Sequence, residues 1–200
     1  MRIYTFEKKK TIIILFLNVP PFLSKNEIKD KLSFNVLRYS LKINMLSKRE
    51  TSMTLEKLHT NWPDKTIPKF KNIKAYEIEK DRKLLIHEDN FTAVQINEII
   101  LPYLGNNNLV ELFPYVIIDM GAVKYICNGA NIARPGILKF ESFSKDKIVI
   151  VKDKEYQKPL AVGTSLYDSE KAIKLSKGHI INNMHYVGDK FWNLYKGLQI

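Results

Sequence analysis

Between residues 115 and 181 the chain alternates short apolar runs with turn-forming residues, and this pattern constrains the fold most. The runs are Tyr115-Val-Ile-Ile118, Lys147-Ile-Val-Ile-Val151, Leu160-Ala-Val-Gly163 and Ile180-Ile181. Such spacing predicts a compact β barrel or sandwich. Two helical segments interrupt it. One covers Gly121 to Asn128 and ends at Gly129; the other starts behind Asp168-Ser169 and stops at Gly178. Each thus places a glycine where a left-handed cap is wanted.

Upstream of this third the pattern changes. Ser47-Lys-Arg-Glu50 has capping-box spacing, and Met53, Leu55 and Leu58 give the helix behind it a partial apolar face. That helix must end before Trp62-Pro63, because a residue preceding proline resists the α conformation. Lys74-Ala-Tyr-Glu-Ile-Glu and Lys83-Leu-Leu-Ile-His predict strands around a polar turn at Glu79–Arg82. Thr92 to Ile100 fits either strand or helix. Residues 45–113 are therefore expected to form a small α+β unit and residues 114–200 a β barrel, giving an α+β protein.

Residues 1–44 stand apart. They are dominated by Lys, Ile, Asn, Leu and Phe, and Lys8-Lys9-Lys10 followed by Ile12–Leu17 has the order of a signal peptide. The apolar run is far below the roughly 20 residues needed to cross a bilayer, and no small-residue cleavage site follows it. Ser24-Lys-Asn-Glu27 is another capping box and predicts a short helix from about residue 25. Met45 is the expected natural start, with residues 1–44 an extension of uncertain status.

Charge separates the same three stretches. Lys and Arg exceed Asp and Glu by 6 in residues 1–44, balance them in 45–113 and exceed them by 5 in 114–200, within a net charge of +11. An excess of this kind favours acidic partners, nucleic acid above all. The single cysteine, Cys127, excludes an intramolecular disulfide and a Cys-rich zinc site, and points to a reducing cytoplasm.

Signatures of catalysis are absent. The chain carries no phosphate-binding glycine loop, no nucleophile elbow and no H-E-x-x-H helix. His59, His87, His179 and His185 fit no common zinc spacing. No enzyme activity, cofactor, metal or membrane association is expected.

The informative stretch is Asp119-Met-Gly-Ala-Val-Lys-Tyr-Ile-Cys-Asn-Gly-Ala-Asn-Ile-Ala-Arg-Pro-Gly136. It is a glycine-flanked helix followed by a connection that Gly129 and Pro135-Gly136 force into a tight path. The glycines either satisfy turn geometry alone or clear room for a phosphate-sugar backbone, with Lys124 and Arg134 close by. Spacing does not decide between the two.

The stretch resembles the opening of the PUA domain, the small RNA-binding barrel named for pseudouridine synthases and archaeosine transglycosylases. The resemblance continues through Lys147–Val151, Pro159-Leu-Ala-Val-Gly163 and the helix after Ser169. It closes at His185-Tyr-Val-Gly-Asp-Lys-Phe-Trp192. It implies RNA lying along the first helix, the loop after it and the next strand. Carried over by position, that nominates Lys124, Gly129, Ala130, Asn131, Arg134, Pro135 and Gly136 as RNA-binding residues, with His185 and Lys190 beside them. Tyr186 and Trp192 could stack on bases or sit in the core. Arg134→Glu is expected to weaken RNA binding without unfolding the domain.

Leu101-Pro-Tyr-Leu104 followed by Leu112-Phe-Pro114 is similar to the pre-PUA module of the malignant T-cell amplified sequence group and its short archaeal relatives, although Tyr103 stands where Thr is frequent. The resemblance implies a non-catalytic RNA binder in translation initiation or recycling. Its partners would be structured RNA (tRNA or rRNA) and the small ribosomal subunit or a translation factor. Two rivals share the fold: an accessory subunit of a tRNA-modifying enzyme such as tRNA-guanine transglycosylase, and a barrel turned to protein interaction.

Overall fold

The computed structural model describes residues 2–8, 11–17, 39–63, 72–87 and 91–198, with side chains from residue 41 onward. Two sheets face each other. The first is an antiparallel meander: β1 (Arg2–Lys8), β2 (Thr11–Leu17), β3 (Tyr39–Met45), β4 (Lys74–Glu79), β5 (Arg82–His87), β6 (Phe91–Ile96) and β7 (Ile99–Pro102), neighbours in space as in sequence. Helix α1 (Lys48–Asn61) lies against β7. The second sheet contains β8 (Tyr115–Ile118), β9 (Ile132–Ala133), β10 (Ile137–Phe140), β11 (Ile148–Asp153), β12 (Pro159–Ser165) and β13 (His179–Tyr186), in the order β10-β8-β11-β12-β13-β9. Short helices α2 (Asn107–Val110), α3 (Met120–Ile126) and α4 (Ser169–Lys174) fill the connections, and α5 (Lys190–Gly197) follows β13. The architecture is α+β, as the patterning requires.

Local chemistry explains the elements. Ser47 accepts the Glu50 amide hydrogen at 3.2 Å, and the Glu50 carboxylate accepts that of Ser47 at 2.8 Å, so the capping box closes at both ends. These hydrogen bonds hold the Glu50 carboxyl below its ordinary pKa. The helix stops at Asn61, and Trp62 turns into the core, where its indole N–H donates to the Ile100 carbonyl at 2.7 Å. Trp62 also meets Phe113 edge to face at 5.3 Å. The ambiguous segment at 92–100 resolves into β6 and β7, joined by a turn at which Asn97 takes a φ of 53°. Asparagine tolerates that left-handed backbone better than most residues.

β11 shows why its sequence is an unbroken apolar run. Ile148 and Ile150 pack into the core shared with the first sheet, whereas Val149 and Val151 point into the interior of the second. A strand buried on both faces cannot alternate with polar residues. Lys152 follows it into the interior, with its amine 2.8 Å from the Glu111 carboxylate and 4.4 Å from the Tyr115 ring centroid.

Three features depart from expectation. The boundary at residue 44 falls inside β3, which pairs with β4 and buries Leu41 completely. Helix α4 ends at Lys174, short of Gly178. Helix α5, within a block read only as a motif, closes the core with Phe191 and Leu194. The helix expected from about residue 25 lies outside the described residues.

Candidate nucleic-acid interface

Helix α3 starts where β8 ends. Asp119 caps it by accepting the Gly121 amide at 2.7 Å, and the Asp119 amide donates to the Gly136 carbonyl at 3.0 Å. The start of the helix and the Arg134–Gly136 turn are thereby held together. Ile126 is buried and Ala122 and Val123 pack against the interior, which leaves Gly121, Lys124, Tyr125 and Asn128 on the solvent side. That is the spacing of one helical face.

The loop after α3 is fastened to β13. The Asn183 side-chain amide donates to the carbonyls of Ile126 and Ala130, both at 3.0 Å, and the Asn183 backbone amide donates to Asn131 Oδ1 at 2.9 Å. Gly129 adopts a φ of 89°, and a Cβ there would lie 3.1 Å from the Tyr186 ring. Backbone sign and close approach therefore both demand glycine.

The nine nominated residues separate into three sets. Lys124, Ala130 and Pro135 are exposed on α3, the loop and the turn. Gly129, Asn131, Arg134 and Gly136 lie in the same region but shape it. Arg134 donates to the carbonyls of Ile137 and Ile173, each at 3.1 Å, and its guanidinium lies 5.1 Å from the Phe140 ring centroid. Arg134→Glu would break this clamp and is expected to disturb the local fold as well as any RNA contact, in contrast to the neutral effect on folding that the sequence suggests.

His185 and Lys190 are elsewhere. His185 is 0% exposed and sits between the two sheets. Its Nε2 accepts the Leu104 amide hydrogen at 3.4 Å, which places the ring hydrogen on Nδ1, facing Asp189 Oδ2 at 2.7 Å. Tyr103 stacks on the imidazole at 5.5 Å between centroids. Burial also pushes the Tyr103 phenol well above its ordinary pKa. Lys190 pairs with Glu79 of the first sheet. No incoming RNA can reach His185 in this arrangement. Trp192 packs against Tyr103 and Tyr186 lies against Gly129, and both rings are only partly exposed.

The aromatic missed in sequence is Tyr125, 67% exposed and directly after Lys124. Its signal was present: it falls on the polar side of a helix whose apolar side is set by Ala122 and Ile126. Among the described residues, no group of three or more His, Cys, Asp or Glu side chains could hold a metal ion, and no helix is long and apolar enough to cross a membrane.

Fold and surface define a small six-stranded barrel carried beside an α+β module built on a seven-stranded sheet. Residues 114–187 match the family model of the PUA domain. An uncharacterized protein of Methanocaldococcus jannaschii is 32% identical over 158 residues, 76% of this chain and 95% of that one. Translation machinery-associated protein 20 of Eremothecium gossypii is 29% identical over 138 residues, covering 65% and 76%. Human Malignant T-cell-amplified sequence 2 is 32% identical over 101 residues, covering 46% and 56%. The crystal structure of a hypothetical protein from Pyrococcus horikoshii superposes with a TM-score of 0.65 at 24% identity, covering 76% of this chain and 98% of that one. The chain belongs to the PUA-domain family.

Proposed function

We propose that this chain is a non-catalytic RNA-binding protein of the translation machinery, holding tRNA or rRNA at the small ribosomal subunit. The observation that carries the reading is the solvent side of α3. It presents Lys124 and Tyr125 immediately ahead of a loop whose backbone Gly129 and Asn183 fix. A lysine for phosphate and an aromatic for a base are what sequence-tolerant RNA binding uses. The name of the Eremothecium relative supports the assignment to translation. The first sheet, neutral in charge over 45–113, would dock a protein or ribosomal surface in the cytoplasm.

Sedimentation with purified small ribosomal subunits tests this, with and without tRNA, at two salt concentrations. Co-migration that strengthens with tRNA and weakens with salt is the expected result. Binding of free tRNA without any subunit association would move the protein to an accessory role in RNA modification.

A further inference from the structure

We propose that the tip of the β11–β12 hairpin, Lys154 to Lys158, is a second RNA contact that takes an unpaired nucleotide. Tyr156 stacks on its base, and Lys154 and Lys158 lie against the flanking phosphates. The proposal rests on the RNA-binding reading above and extends it to the class of RNA preferred.

Tyr156 is 70% exposed, and the Lys158 amine lies 5.7 Å from its ring centroid, so a cation and a π face already share the tip. Lys154 is exposed beside them, and Glu155 is the acidic residue between. The tip is held rigid from inside. Asp153 Oδ1 accepts the Tyr156 amide at 2.6 Å and Oδ2 accepts the Lys158 amide at 2.9 Å. Burial alone would raise the Asp153 pKa, but these amides outweigh it and hold it below the ordinary value. Gln157 adopts a φ of 51°, whereas the other positive-φ residues besides glycine among the described residues are Asp81, Asn97 and Asp146. Glutamine has no special tolerance for that conformation, which costs on the order of 1 kcal/mol. The loop thus accepts strain to keep one shape, and a preorganised platform loses less entropy on binding.

Topology places this platform beside the first contact. β11 runs parallel to β8 with Asp153 opposite Ile118, and β10 sets Ile137 opposite the same residue. The root of the hairpin, the start of α3 and the Arg134–Gly136 turn therefore share one end of the barrel. An RNA held along α3 has its continuation at the hairpin. Stacking needs a base with a free face, and duplex RNA offers none except at its ends.

The test uses the full chain and fluorescence anisotropy, with one two-stranded RNA duplex in two forms: blunt, with every nucleotide paired, and carrying a short single-stranded extension. Tyr156→Ala is expected to weaken binding of the extended form about tenfold and to leave the blunt form unchanged, because one base stack is lost. Tyr156→Phe keeps the ring and should bind as the parent does. Replacing Lys154 and Lys158 together with Ala should lower the log-salt slope by about 1.5. Equal loss for both RNA forms would overturn the assignment to an unpaired nucleotide. Parent-like affinity of Tyr156→Ala, with binding lost in Lys124→Glu, would overturn the second contact and leave the first standing. Absence of RNA binding by the parent chain would overturn both.

Discussion

The stretches Asp119–Gly136 and His185–Trp192 lie at either side of the same sheet, linked through β13, yet they face opposite ways. The first turns Lys124, Tyr125, Ala130 and Pro135 to solvent, with Gly129, Asn131 and Arg134 bracing the backbone beneath. The second turns His185 and Phe191 into the core shared with the first sheet, and its outermost cation pairs with Glu79. A residue type that suggests nucleic-acid contact in sequence thus serves two ends. One block offers a surface; the other fixes how the two sheets sit together. β13 joins them, since Asn183 braces the α3 loop while His185, two residues on, faces inward.

Substitutions should separate the two roles, and the largest effect should fall where they meet. A Cβ at Gly163 would lie 1.7 Å from the Asn182 carbonyl oxygen, at the point where the β12–β13 register shifts. Gly163→Ala must move that strand and should cost about 3 kcal/mol or more, read as a large fall in Tm together with loss of RNA binding. His185→Ala removes the inward pin alone. It leaves the Leu104 amide and Asp189 without their imidazole partner and should cost about 2–3 kcal/mol of stability. RNA affinity below the melting transition should stay within about twofold of the parent.

Lys124→Glu is the mirror image. Thermal stability should not change, because the side chain is exposed, while RNA affinity falls about tenfold and the salt slope drops by about 1. The smallest effect belongs to Glu79, whose carboxyl is held below its ordinary value chiefly by the hydrogen bond from Lys190. A depressed folded pKa contributes stability above the ordinary value of 4.5, and that contribution is lost as pH falls through the depressed value. Both partners are nearly half exposed, so Glu79→Gln should cost only a few tenths of a kcal/mol at neutral pH. The difference between the Glu79→Gln and parent Tm values should shrink on acidification.

What could be read from the sequence follows from how local each signal is. The capping box of Ser47 and Glu50, the turn glycine at 129 and the doubly apolar run of β11 act within a few residues, and each appears where expected. The two-residue strand β9 carries too few residues to show a period. The fate of His185 depends on Leu104, 81 residues away, and no spacing within its own block reports that. Tyr103 belongs to the same case: its role shows only beside His185, Trp192 and Tyr195, whose rings it contacts from far along the chain. Charge placed the basic excess in the barrel third but not on one face. That took the helix geometry separating Lys124 and Tyr125 from Ala122 and Ile126.

The central claim is that RNA is held on the outward face while the His185 block only joins the sheets. Anisotropy titration of one structured RNA against the parent chain, Lys124→Glu and His185→Ala, at a temperature where all three are folded, tests it directly. The account predicts that Lys124→Glu alone loses affinity. Loss of affinity in folded His185→Ala, with Lys124→Glu unchanged, would contradict it.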